Sequence, residues 1–109
     1  MKVERTIYEK EGKQYFAYFV KGILRGKEVR ASVVPTDVGG YTLLDIVFAD
    51  SNEAELINTP FEFKDEASGN VISGNSFTVR SVDENGEIYE CKVKPNKASD
   101  KSLLNMLMK

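Results

Sequence analysis

The sequence predicts an all-β domain: an OB-like, Greek-key small barrel or half-barrel of five to seven mostly antiparallel strands, with a C-terminal helix. Three observations predict it. Val, Ile and Thr number 11, 6 and 5 beside 11 aromatic residues, side chains that fit a pleated, half-buried surface. Gly and Pro punctuate the chain at intervals suited to short strands. Of ten Leu and Met residues, five fall at Leu103, Leu104, Met106, Leu107 and Met108, so helix-forming apolar residues gather at the C-terminus. With 109 residues, 41% hydrophobic and 29% charged, the chain is long enough for one core, and residues 1–109 are read as one domain.

The first strand is expected over Val3 to Tyr8, ending at Gly12. A second runs from Gln14 to Leu24. Arg25-Gly26-Lys27-Glu28 reads as a two-residue hairpin turn with Gly26 at its first central position. That register sets Val20 opposite Val33, Gly22 opposite Ala31 and Leu24 opposite Val29, on one face with Phe16 and Tyr18. A third strand is expected over Tyr41 to Phe48, after the Asp37-Val38-Gly39-Gly40 link. Asp50-Ser51-Asn52-Glu53 has capping-box spacing, so residues 51–58 are read as a short helix before Pro60, with a strand as the alternative. Ser76 to Val82 alternates as a strand, and Asp83-Glu84-Asn85-Gly86 forms a turn. Glu87 to Lys94 alternates again, with Tyr89, Cys91 and Val93 inward, and Pro95 ends it. The closing helix is expected over about 99–108, with Ser99 as its N-cap, docked on the barrel.

The composition narrows function more by what is missing. There is no histidine, so no imidazole general base and no Ser-His or Cys-His pair. One cysteine supplies neither a disulfide nor a thiolate zinc site, and it suits a reducing cytoplasm. No cofactor, metal or enzymatic activity is expected. The first residues carry no apolar run and no stretch is long enough to span a bilayer, so no membrane partner is expected.

Charge is segregated along the chain. Residues 1–34 carry eight Lys and Arg against four acids, whereas residues 35–70 carry one Lys against eight acids. The basic segment holds the most unusual pattern. In the register above, Tyr15, Phe19, Ile23 and Val34 point away from the interior, interleaved with Lys13, Lys21, Arg25 and Arg30. Rings among cations suit unstacked bases and phosphates, so Tyr15, Phe19, Lys21, Arg25, Lys27 and Arg30 form a candidate single-stranded nucleic-acid surface. The chain is accordingly read as a small non-enzymatic binding module. The alternative is a protein-interaction or homo-oligomerisation module without nucleic-acid binding, using the apolar stripe Leu103, Leu104, Leu107 and Met108. Whether the C-terminal helix covers Tyr15 and Phe19 decides how far the first reading stands.

Overall fold

Two three-stranded meanders close on each other in the computed structural model, which describes residues 1–108. The first comprises β1 (Lys2–Lys10), β2 (Lys13–Leu24) and β3 (Lys27–Pro35); the second comprises β4 (Glu53–Lys64), β5 (Val71–Val82) and β6 (Ile88–Pro95). Helix α1 (Gly40–Val47) joins the meanders and α2 (Ala98–Leu107) follows β6. The strand order β1-β2-β3-β6-β5-β4 closes into a six-stranded antiparallel barrel, so the predicted small barrel with a C-terminal helix is the observed architecture. Both seams are short. β1 meets β4 through Lys2↔Glu55, Val3↔Ala54 and Glu4↔Glu53, and β3 meets β6 through Val33↔Pro95, Val34↔Lys94 and Pro35↔Val93.

Alternation along each strand fills the interior with Val3, Tyr18, Val20, Ala31, Val33, Leu56, Val79, Cys91 and Val93. Because β3 and β6 run antiparallel, the helices that follow them lie at opposite mouths. Leu44, Val47 and Phe48 plug one mouth and Leu104 the other. No helix among the described residues is long and apolar enough to cross a membrane.

Four expectations are corrected. Residues 40–47 form α1 and not a strand, because the buried positions are Gly40, Leu44, Val47 and Phe48, spaced by three and four, and not alternate residues. Asp37 starts this helix by accepting the Gly40 N–H on its carbonyl and carboxylate oxygens, at 3.1 and 3.0 Å. Residues 53–64 form a strand, since Ala54 and Leu56 alternate inward and supply the partner that β1 needs. Ser51, inside the Asp50–Glu53 stretch with capping-box spacing, instead accepts the Glu53 N–H at 3.1 Å in a local turn. The β2–β3 turn is centred on Arg25 and Gly26, both with positive φ (51° and 77°), as a type I′ turn demands. The register is therefore Val20↔Ala31, Gly22↔Val29 and Leu24↔Lys27, shifted by two residues from the expected one with the inward face unchanged. The C-terminal helix begins at Ala98, preceded by Lys97 and not Ser99 as its N-cap.

The turn after β5 is held by one carboxylate. Asp83 Oδ1 accepts the N–H groups of Asn85 and Glu87, each at 2.9 Å, and its Oδ2 accepts the Tyr89 hydroxyl at 3.1 Å. The backbone donor of Glu87, before any other cause, holds the Asp83 carboxyl below its ordinary value. A folded-state pKa below the unfolded one contributes stability above the unfolded value, and that contribution is lost as pH falls through the folded one. Asp83→Ala is therefore expected to lower Tm most above about pH 5 and hardly at all below about pH 2. Thermal melts of both proteins across that range check it, and a pH-independent difference would contradict it.

Two hairpins outrun the barrel. β2 residues Lys13–Ala17 pair only with β1, while Thr59–Lys64 of β4 and Val71–Ser76 of β5 pair only with each other. These arms leave opposite ends, since β1 and β4 are antiparallel. They give the molecule extents of 49 × 35 × 30 Å and a radius of gyration of 15.5 Å. A compact chain of this length would have about 13 Å.

Candidate functional site

The outward face of β1, β2 and β3 is built by strand alternation and two type I′-like turns. Positive φ at Glu11 and Gly12 closes the β1–β2 hairpin and fixes Lys10↔Lys13, Tyr8↔Tyr15 and Glu4↔Phe19 as cross-strand neighbours. Pairing with β3 adds Phe19↔Ser32 and Lys21↔Arg30. The face thus reads, from the arm toward the barrel, as a cationic pair, a tyrosine pair, then Phe19 and a second group of cations.

Tyr8 and Tyr15 stack, with centroids 5.6 Å apart and planes 25° from parallel, and both remain more than two-fifths exposed. Lys10 and Lys13 flank them with no ion-pair partner among the described residues. Farther along, the Arg30 guanidinium lies 4.9 Å from the centre of the Phe19 ring, which is half-buried. Lys21 Nζ sits 2.7 Å from Glu4 and 4.0 Å from Glu28. The hydrogen bond to Glu4 pushes the Lys21 ammonium above its ordinary value, and the same bond lowers Glu4. This lysine is therefore largely neutralised in place.

Of the six residues singled out from the sequence, the structure brings Tyr15, Phe19, Lys21 and Arg30 onto one face. Arg25 sits in the turn at its end. Lys27 pairs with Leu24 and so belongs to the alternation of the opposite face, because the turn falls one residue earlier than expected. The sequence reading missed Tyr8 and Lys10. The signal was available in Gly12, since a two-residue turn there places Tyr8 directly across from Tyr15.

Neither helix covers this face. Leu107 of α2 packs over Gly22, which shares the inward alternation of Tyr18 and Val20, so α2 docks on the other side of β2 from Tyr15 and Phe19. Asp100 anchors that helix: its Oδ1 accepts the Ser32 N–H at 2.9 Å and its Oδ2 accepts the Lys97 N–H at 3.1 Å. Leu104 is fully buried, Leu103 and Met108 pack against the core, and Leu107 is half-buried, so the apolar stripe is occupied by the chain's own barrel. Only Met106 stands out from α2 as an exposed large apolar side chain. No protein-family model, curated protein or solved structure matches this chain, and the face is interpreted from its own geometry.

Proposed function

We propose that the chain is a small non-enzymatic binding module that takes single-stranded nucleic acid on the outward face of β1–β3, and that it acts in the cytoplasm. The observation that carries this reading is the exposed Tyr8–Tyr15 stack flanked by the unpaired cations Lys10 and Lys13. Unstacked bases have a ring surface to continue, and the neighbouring ammonium groups meet the phosphates. Arg30 over Phe19 offers a second planar, charged platform in line with the first. Lys21, held by Glu4 and Glu28, contributes little net charge to an incoming phosphate.

The chain is expected to bind fluorescein-labelled oligo-dT in a salt-sensitive manner. Tyr15→Ala should weaken binding by about 1–3 kcal/mol, the range for losing one stacked base. Lys10→Ala and Lys13→Ala together should flatten the salt dependence by a slope of about 1.4, from roughly 0.7 per phosphate contact on single strands. Anisotropy titrations between low and moderate salt read both effects. A flat titration at low salt sinks the reading.

A further inference from the structure

The β4–β5 arm carries an edge that the fold leaves open. β6 accompanies β5 only from Val82↔Ile88 to Phe77↔Val93, then turns away toward β3. The edge of β5 over Val71–Ser76 has no further backbone partner among the described residues. Beside β3 the first residue past the seam is capped, because Asp100 takes the Ser32 N–H and Asn96 donates to the Ser32 carbonyl. An exposed, uncovered edge is a template for another strand.

The two faces of the arm differ. Outward, Phe61, Phe63 and Ile72 are each more than two-fifths exposed; the phenyl rings stack with centroids 6.3 Å apart, and Phe61 lies across Gly74. A two-stranded hairpin standing clear of its core with such a face is marginal by itself. Inward, a groove of about 1070 Å³ separates the arm from the start of α2. Lys94, Lys97 and Lys101 line it, and none has an ion-pair partner among the described residues. The turn at the end of the arm is acidic, with Asp65 and Glu66.

We infer that this edge pairs with the same edge of a second copy of the chain, giving a two-fold symmetric dimer joined through β5. Antiparallel pairing about an axis near Ser73 and normal to the sheet keeps like faces together. The two apolar triplets then merge into one cluster of Phe61, Phe63 and Ile72 from both copies. The same operation carries each copy's 65–70 turn to the point where the other copy's β6 leaves β5. That is where Lys94, Lys97 and Lys101 stand, so acidic turn meets basic groove twice. One arrangement satisfies the open edge, the exposed rings and the unpaired lysines. It stands independently of nucleic-acid binding.

Sedimentation equilibrium at low salt tests it. The full chain is expected to reach about twice its 12.2 kDa mass by about 100 µM. Glu66→Lys alone and Lys97→Glu alone should each weaken association about tenfold, and the two combined in one chain should restore it. All three positions are exposed, so these variants leave the fold intact, and Phe63→Asp should weaken association without rescue by either. Affinity for oligo-dT should be unchanged in the monomeric variants, which separates a failure here from a failure of the binding face. A monomer at every concentration overturns the inference. So does a dimer indifferent to all of these changes, and so does a Lys97→Glu variant that loses oligo-dT in place of its partner.

Discussion

Phe48→Ala is expected to cost about 3–5 kcal/mol of folding free energy, the range for emptying a fully buried aromatic site. The residue ends α1, a helix of eight residues, too short to persist unless its apolar side docks on something. It docks on the barrel mouth. The Phe48 ring is fully buried, with its centroid 5.4 Å from that of Tyr18, and the Arg5 guanidinium lies 5.7 Å away on another side. Arg5 also donates to the Phe48 carbonyl at 3.2 Å and to Asn52 Oδ1 at 3.2 Å, tying β1 to the segment that leads into β4. Removing the ring leaves a void beside Tyr18 and Arg5, in the core cluster that also holds Leu44. A domain of this size has about 5–15 kcal/mol in all, so the variant should be only marginally folded. Ile46→Ala, on the exposed side of the same helix, should stay within about 0.5 kcal/mol. Urea unfolding followed by circular dichroism measures both; equal midpoints would show that α1 does not plug the mouth.

This helix is also where the sequence misleads. Residues 40–48 hold Gly, Tyr, Thr, Ile and Val, which favour turns and strands locally, and tertiary burial overrides them. The decisive position is Gly40, which looks like a breaker yet sits buried against Pro35 at the first turn of the helix. The strands with clean alternation, β6 and the Ser76–Val82 half of β5, were legible because one face of each is core and the other is solvent; Val71–Asn75, which has no core face, was not. β4 was half-legible: Ala54 and Leu56 alternate, but Asp50 and Glu53 carry a helix-start spacing, and the Ser51 hydroxyl between them serves a turn instead. The β2–β3 register could not be settled by pattern, because a shift of two residues keeps every side chain on its own face.

The candidate site divides along the same line. That Tyr15, Phe19 and Arg30 face outward follows from alternation within single strands, and they do share a face. Which of their charges are free depends on neighbours from other strands. Glu4, fifteen positions before Phe19, stands across from it and holds Lys21, so a lysine prominent in the sequence is largely spent. Lys10, unremarkable in sequence, joins Lys13 as the unpaired cations beside the tyrosine stack. The lysine groove was invisible for a similar reason. Lys94 is the last residue but one of a strand, Lys97 caps a helix and Lys101 lies one turn along it, and no single period links the three.

Leu104→Ala is expected to cost about 2–5 kcal/mol, and the reason lies in how the barrel closes. β3 and β6 share three residue pairs, and beyond Val33↔Pro95 the seam has no strand to continue it. The start of α2 takes over through Asp100 and Asn96 on Ser32, and the helix then runs across the open mouth toward Gly22. Leu104 is the one α2 side chain buried completely, with Leu103 and Met108 packed at its edges. Its loss empties the plug while leaving the polar clasp at Ser32 in place. Asp100→Ala does the reverse: it strips a charged acceptor from two backbone N–H groups and should cost about 2 kcal/mol. Because both act on one docked helix, the double variant should fall short of the sum of the single effects. Met106→Ala, on the exposed side, should be nearly silent. If instead Met106→Ala were as damaging as Leu104→Ala, or if Leu104→Ala changed the sedimented mass while leaving the unfolding midpoint alone, α2 would be a surface for a partner and not the lid of its own barrel.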